Sequence, residues 1–338
     1  MSIIISVVVP TWKRVSILKD VIDSLVTQNY PKQLFEVIIC DSQSEDGTIE
    51  LVKSYQNNHS DFNIRLINSE INAQSVKRND GAIAAQGGIL IFLDDDVVPS
   101  KNLLIEYFNA HQNSNNIVFL GLSLFSNKRV KKSNLLKYRN NRTKRILIFN
   151  DNIPPENFVS MNFSIKKNDF FKIGMFDPTF TNYGGEDHDF PIRMGAMGFR
   201  SKLCKGAISE HREPSSNLYG RMKKIFISAS KGFVPLKDKF PSFFTNSTIG
   251  LLEENDIEDS RIRIIKKTLI KYLLRNQLIK IITHFLVWSD NYRLLYQPFL
   301  YKIVFAYAYI EGVNKRFSHD DIAPSFENWK IWDMYNQD

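Results

Sequence analysis

The stretch Ile89–Pro99, ILIFLDDDVVP, decides how the rest of the chain reads. Five apolar residues run without a break, as in a strand buried on both faces, and three aspartates end it. Three adjacent carboxylates repel one another. A divalent cation shared with substrate phosphates relieves that repulsion; so does water around a solvated turn, or use of Asp96 as a helix cap. Upstream, Ile3–Val9 runs to Pro10, Phe35–Cys40 runs to Asp41, and Ile64–Ile67 is a short strand. Between them lie helical patterns. Val15, Leu18, Ile22 and Leu25 recur at spacings of three and four, the turn SEDGT (Ser44–Thr48) leads to Ile49 and Val52, and Ser75–Gln86 predicts a helix with Val76, Ile83 and Ala84 inward. Alternation of this kind predicts an α/β fold with a parallel sheet covered on both faces. Such sheets bind ligands at the carboxyl ends of their strands. Here those ends carry Pro10-Thr11, Asp41 and Asp94-Asp95-Asp96.

Past this half the pattern is mixed, with strand-like Ile117–Leu124, Phe158–Ile165 and Ser201–Ile208. YGGEDHDFPIRMGAMGF (Tyr183–Phe199) predicts a tight turn at Gly184-Gly185 followed by a helix opening on Glu186 and Asp187, with Pro191, Met194 and Met197 inward. Carboxylates there can simply cap the helix; alternatively one is a general base. His211, after a predicted strand, reads as a structural histidine or as an imidazole ligand beside carboxylates. Pro241–Asn255 is the candidate linker, and the chain from about Arg261 onward reads as helical.

With 338 residues, the chain has room for two domains or for one with a long appendage. Its 43% hydrophobic and 24% charged residues exclude disorder, collagen and coiled coil. Cys40 and Cys204 cannot form a disulfide framework and lack metal-ligand spacing, so a reducing cytoplasm is expected. The start, MSIIISVVVP, lacks the features of a signal peptide. Leu278–Trp288 and Phe299–Ile310 are too short and too interrupted to span a bilayer, which predicts a soluble or peripheral protein. The net charge of +8 points to an anionic partner.

Six blocks in order, VVVPTWKR, EVIICDSQSEDGT, KRNDGAIAAQGGILIFLDDDVVPS, FVSMNFSIKKNDFFKIGMFDPTF, GGEDHDFPIRMGAMGF and then His211, resemble a family 2 glycosyltransferase of GT-A fold over about Ser2–Arg212. The resemblance implies a Rossmann-like, mostly parallel sheet in a catalytic domain over 1–245, with a nucleotide-sugar half (1–125) and an acceptor half (126–245). A helical region over 246–338 would follow. It implies that Pro10, Thr11, Trp12, Arg14, Asp41, Arg78, Asp94, Asp95 and Arg221 bind a nucleotide-sugar donor, UDP-linked by preference. Asp46 would be a structural loop acid. Asp96 and His211, with Asp94, would hold Mn²⁺ or Mg²⁺; Asp187 would be the base and Glu186 would orient the acceptor. The implied activity is inverting hexosyl or N-acetylhexosaminyl transfer in bacterial polysaccharide, lipopolysaccharide or capsule synthesis. Trp12, larger than the usual aromatic, and the third aspartate, Asp95, are departures.

Two segments carry basic residues and no acid. Lys128–Arg145 holds nine, and reads as a solvated loop or as a contact for a phosphate-bearing acceptor or an anionic bilayer. Arg261–Arg275 holds six, with Arg263, Lys267, Lys271 and Arg275 as a stripe on an amphipathic helix suited to a membrane surface or to ordinary packing. With Trp288, Phe299, Tyr301, Phe305, Tyr307 and Tyr309, this predicts peripheral contact at the inner face of the membrane and a glycan or lipid-linked glycan acceptor. Arg221, Lys223 and Lys224 are expected on a mobile loop, Arg221 closing over the diphosphate. Three rival readings are weaker. A sugar-nucleotide nucleotidyltransferase would have a glycine-rich loop where PTWKRVS stands. A nucleic-acid-binding protein would not gather acids at its strand ends. An inactive sugar-binding relative would not need the intact acids and His211.

Overall fold

In the computed structural model, which describes residues 2–149, 152–214, 216–246 and 276–317, strand and helix alternate through the first half. β1 (Ile5–Thr11), β2 (Phe35–Asp41), β3 (Asn63–Asn68) and β4 (Ile89–Leu93) are joined by α1 (Val15–Val26), α2 (Thr48–Asn58) and α3 (Gln74–Ala84). Then come β5 (Val97–Pro99), α4 (Leu103–His111), β6 (Ile117–Leu124), α5 (Asn127–Val130), α6 (Asn134–Thr143), β7 (Asn162–Lys166) and α7 (Lys167–Ile173). α8 (Glu186–Ala196), β8 (Arg200–His211), α9 (Leu218–Ile227), α10 (Val234–Lys239), α11 (Pro241–Asn246), α12 (Asn276–Trp288) and α13 (Pro298–Phe317) complete the described chain.

One eight-stranded sheet has the order β3-β2-β1-β4-β7-β6-β8-β5. β1 to β4 pair in parallel, as the crossover helices require. β7 then lies antiparallel to β4 and to β6, so the sheet is mixed rather than parallel throughout. This reversal serves the site. It sets the start of β7 against the end of β4, pairing Leu93 with Asn162 and bonding the Asp94 N–H to the Met161 carbonyl at 3.0 Å.

Period-two alternation splits the core between the sheet's two faces. Ile5, Val7 and Val9 join α1, α2 and α4 on one side; Val8 joins α3, α7 and α8 on the other. A third cluster packs α12 and α13 on α6 and α9, through Ile279, Leu286, Tyr301 and Phe305 against Tyr138, Leu218 and Met222. Tyr301, Phe305, Tyr307 and Tyr309, expected to serve a membrane, are therefore buried. Trp288 and Phe299 stay exposed, at 62% and 61%. Among the described residues, no helix is long and apolar enough to cross a membrane. Arg261–Arg275 and most of the candidate linker lie outside the described residues, the linker's first part forming α11.

Three helix faces differ from the apolar pattern. Ile49 and Met197 are exposed, and so is Ile83 at 60%. α3 buries Ser75, Lys77, Arg78, Asn79, Gly81 and Ala82 instead. Its inner face is polar because it lies along the crevice and takes its partners there. The basic stretch Lys128–Arg145 forms α5 and α6 with the turn after them, and Arg221 sits on α9; neither is an open loop.

Candidate active site

The strand ends converge as the topology demands. Pro10 and Thr11 end β1 and are buried; the Thr11 hydroxyl donates to Asp95 Oδ2 at 2.8 Å, and its carbonyl accepts from Lys77 Nζ at 2.8 Å. Burial lowers the Lys77 pKa to about 8. Arg14 Nη1 donates to Asp95 Oδ1 at 3.0 Å and to Asp96 Oδ2 at 3.1 Å. Burial pushes Asp95 up to about 6 against the pull of Arg14. Asp94 turns the other way, to Arg78 Nη2 at 2.8 Å. The repulsion among the three aspartates is thus met by two arginines placed on opposite sides.

Asp41, at the end of β2, is buried and accepts from the backbone N–H of Ser44 at 2.9 Å and from its hydroxyl. Asp46 accepts from the Val15 N–H at 2.9 Å and from the Thr48 hydroxyl at 2.6 Å, tying the starts of α1 and α2 together. Trp12 is 44% exposed at the mouth, with Lys13 over its ring.

Register brings the second part of the site in. β5 pairs antiparallel with β8, Val97 opposite His211, which sets His211 Nε2 3.4 Å from Asp96 Oδ1. Burial alone would raise the Asp96 carboxyl. The His211 hydrogen bond and charge outweigh it and hold the pKa below the usual range. Phe125 stacks on the His211 ring at 4.7 Å and fixes its plane.

The third part is the start of α8. Gly184 and Gly185 have φ of +93° and +101°. A Cβ on Gly185 would collide with the Gly232 carbonyl and the Phe180 ring, so the turn admits only glycine. It delivers Glu186 and Asp187 side by side. Asp187 Oδ1 accepts from the Ser160 hydroxyl and, at 3.3 Å, from its N–H. Glu186 is buried, faces Arg78 Nη1 at 3.8 Å, and leaves Oε2 without a hydrogen bond. Burial, then repulsion from Asp187, raises its pKa well above the usual carboxylate range. Arg78, 3% exposed, therefore bridges the aspartate cluster and the start of α8.

Asp96 and His211 form the donor set fit for a divalent ion, a carboxylate oxygen and an imidazole nitrogen a few ångströms apart at the crevice. Among the described residues no three His, Cys, Asp or Glu side chains form a metal cluster, and Asp94 accepts from Arg78 Nη2. Substrate oxygens would have to complete such a shell. Arg221 sits on α9, and burial followed by the Arg221 charge lowers the Arg139 pKa. Sequence reasoning assigned no role to Lys77, Phe125 or Ser160. Their one signal was placement within or beside the conspicuous blocks; their partners come from distant strands.

The profile of Glycosyl transferase family 2 matches residues 6–181, a little over half of the chain, and the chain belongs to that family. Among curated relatives, the uncharacterized glycosyltransferase YfnE of Bacillus subtilis is 27% identical over 63% of this chain and 65% of its own length. Chondroitin synthase of Escherichia coli is 25% identical over 71% of this chain and 39% of its own length. The chain spans less than two thirds of the length of these relatives. The fold matches that of mannosyltransferase PcManGT from Pyrobaculum calidifontis, solved with GDP-Man and Mn²⁺ (TM-score 0.60, 16% identity, 94% of this chain and 88% of that one). It also matches Staphylococcus aureus TarS 1–349, solved with UDP-GlcNAc (TM-score 0.50, 19% identity, 92% and 91%). These likenesses establish a GT-A fold.

Proposed function

We propose that this chain is an inverting glycosyltransferase. It moves a sugar from a nucleotide-sugar, UDP-linked by preference, to a hydroxyl of a glycan or lipid-linked glycan. The observation that carries the reading is the Arg78 bridge, which ties the aspartate-bearing strand end to the carboxylates of α8 in one crevice. Pro10, Thr11 and Asp41 would hold the nucleotide from the ends of β1 and β2, with Trp12 at the mouth. Asp94 and Asp95, held by Arg78 and by Arg14 with Thr11, would face ribose and sugar.

Asp187 would act as general base. Ser160 engages its Oδ1, which leaves Oδ2 to take the acceptor proton. As the acceptor oxygen bonds to the anomeric carbon, the bond from that carbon to the diphosphate breaks, and the nucleoside diphosphate leaves with the electron pair. Glu186, whose burial favours its protonated form, would orient the acceptor rather than compete as a base. Asp96 and His211 would hold a divalent ion, Mn²⁺ or Mg²⁺, whose chemistry there is Lewis-acid neutralisation of charge on the leaving diphosphate. That PcManGT was solved with Mn²⁺ and TarS with UDP-GlcNAc supports these choices.

The test is a screen of UDP-sugars with Mn²⁺ for slow hydrolysis without acceptor. At least one should release UDP, and Asp96→Ala should abolish the metal-dependent part. Hydrolysis indifferent to metal and to Asp96→Ala would refute the reading. The exposed run Trp288, Tyr292, Leu294 and Phe299 favours a peripheral site of action on the inner membrane surface. Sedimentation with anionic liposomes should fall on Trp288→Ser with Leu294→Ser; equal recovery would remove the membrane from the account.

A further inference from the structure

The turn that delivers Asp187 is shaped from outside as well as by its own glycines. α9 runs into a π turn, Ser228–Gly232, where the Phe233 N–H bonds the Ser228 carbonyl five residues back at 2.8 Å. Such widened turns are rare and recur at functional sites. This one lies backbone against backbone on the Tyr183–Gly185 turn. A Cβ on Gly232 would collide with the Tyr183 and Gly184 carbonyls, one on Gly185 with the Gly232 carbonyl, and one on Gly184 with the Ser228 side chain. Three glycines thus meet at a distance that no other residue allows. The opposing atoms at Gly232 and Gly185 are main chain, so the contact has no flexible side chain to yield.

A line of rings runs beside this contact. The Phe233 ring lies 5.5 Å from that of His188, the residue after Asp187, and 6.3 Å from that of Tyr309 on α13. His188 is also tied through its Nδ1–H to the Pro155 carbonyl at 3.1 Å. α13 in turn comes close to the π turn. A Cβ on Gly312 would stand 2.6 Å from the Phe226 carbonyl and 2.8 Å from the Ala229 Cβ. Tyr309 and Val313 share a buried cluster with Ala229, Phe233 and Phe180. Ser75 on α3 donates to the Phe180 carbonyl at 2.9 Å. The start of α8 is therefore held between α3 and the C-terminal helices. Ser160 orients the Asp187 carboxylate, but this packing sets where its backbone stands. The glycine turn, the π turn and α13 all lie beyond residue 181, where the family profile ends.

We propose that Gly232 and Phe233 are positioning residues for Asp187, and that α13, acting through the π turn, belongs to the catalytic machinery. This rests on the reading of Asp187 as the base and deepens it. Attack on the anomeric carbon tolerates little error, since a displacement of about 1 Å costs about 10²-fold. The nucleotide side is built from the ends of β1, β2 and β4, which this packing does not touch. Disturbing the π turn should therefore slow the reaction and leave nucleotide binding alone.

Amide hydrogen exchange and kinetics on the full chain test it. The His188 and Asp189 amides both bond the Gly185 carbonyl. In Gly232→Ala, and in Phe233→Leu as the milder variant, they should exchange at least tenfold faster, with the amides of β1 and β4 unchanged. Hydrolysis of the UDP-sugar cleaved in the screen above should slow at least tenfold in kcat for Gly232→Ala and about threefold for Phe233→Leu, while UDP affinity with Mn²⁺ moves less than twofold. Leu286→Ala, in a cluster that includes none of the π-turn residues, should lower the melting temperature without either effect. Unchanged exchange at His188 and Asp189 in both variants would overturn the proposal. So would wild-type kcat in both where Asp187→Asn is slow, or an equal loss of kcat in Leu286→Ala. An Asp187→Asn variant that turns over like wild type would instead fail the reading of Asp187 as the base, whatever the exchange shows.

Discussion

The two walls of the crevice handle charge in opposite ways. On the sheet side, each aspartate of the 94–96 cluster has a cationic partner: Arg78 for Asp94, Arg14 for Asp95 and Asp96. On the helical side, Arg139 and Lys224 share Glu213, and among the described residues no carboxylate pairs with Arg142 or Arg221. The first wall is organised before any ligand arrives, its carboxylates held by hydrogen bonds from Thr11 at the end of β1, Arg14 just before α1 and Arg78 on α3. The second is short of negative charge.

Substitutions on either wall sharpen this contrast. Asp187→Asn should cause the largest change, slowing turnover by about 10²–10⁴-fold with UDP affinity nearly unchanged; steady-state kinetics beside UDP titration separates the two. Arg78→Gln should come next. It leaves Asp94 without its buried cationic partner and should cost about 3–5 kcal/mol by denaturant unfolding.

Glu213→Gln should cost on the order of 3 kcal/mol, and its effect depends on pH. Burial opposes ionisation of Glu213, but Arg139 and Lys224 outweigh it and lower the pKa to about 2. A depressed carboxylate stabilises the folded state above its ordinary pKa and loses that contribution as pH falls toward the folded value. The gap between wild type and Glu213→Gln should therefore be full at pH 7 and shrink from about pH 5 toward 2. A gap constant over that range would remove the ion pairs from the account. The smallest effect is expected at Ile83→Ser, within about 0.5 kcal/mol, because that side chain faces water.

Ile83 shows where sequence reading stops. Periodicity assumes that a helix buries its apolar face, and α1 obeys with Leu18, Val21, Ile22 and Leu25. α3 does not, since its inner face meets the ligand crevice, where Lys77, Arg78 and Asn79 find oxygen partners. The strands β1, β2 and β4 were legible because burial on both faces leaves an unbroken apolar run. The reversal at β7 was not, because strand direction depends on which end of the sheet a long connection returns to. That Asp96, His211 and Asp187 lie at element ends was legible. Ser160 and Phe125 were not, since their roles come only from contacts made across the sheet. The aromatics of α13 misled for a related reason: an amphipathic helix beside a basic stretch looks alike whether its apolar face meets lipid or α6 and α9.

The central claim is that Asp96 and His211 on one side and Asp187 on the other enclose a single reacting centre. A crystal structure of the protein soaked with Mn²⁺ and a hydrolysis-resistant UDP-sugar tests it most directly. The account predicts the ion within coordination distance, roughly 2.0–2.3 Å, of Asp96 and His211, with Asp187 facing the anomeric carbon from the side opposite the diphosphate. A nucleotide bound away from the ends of β1 and β4, or a sugar whose anomeric carbon faces away from Asp187, would contradict it.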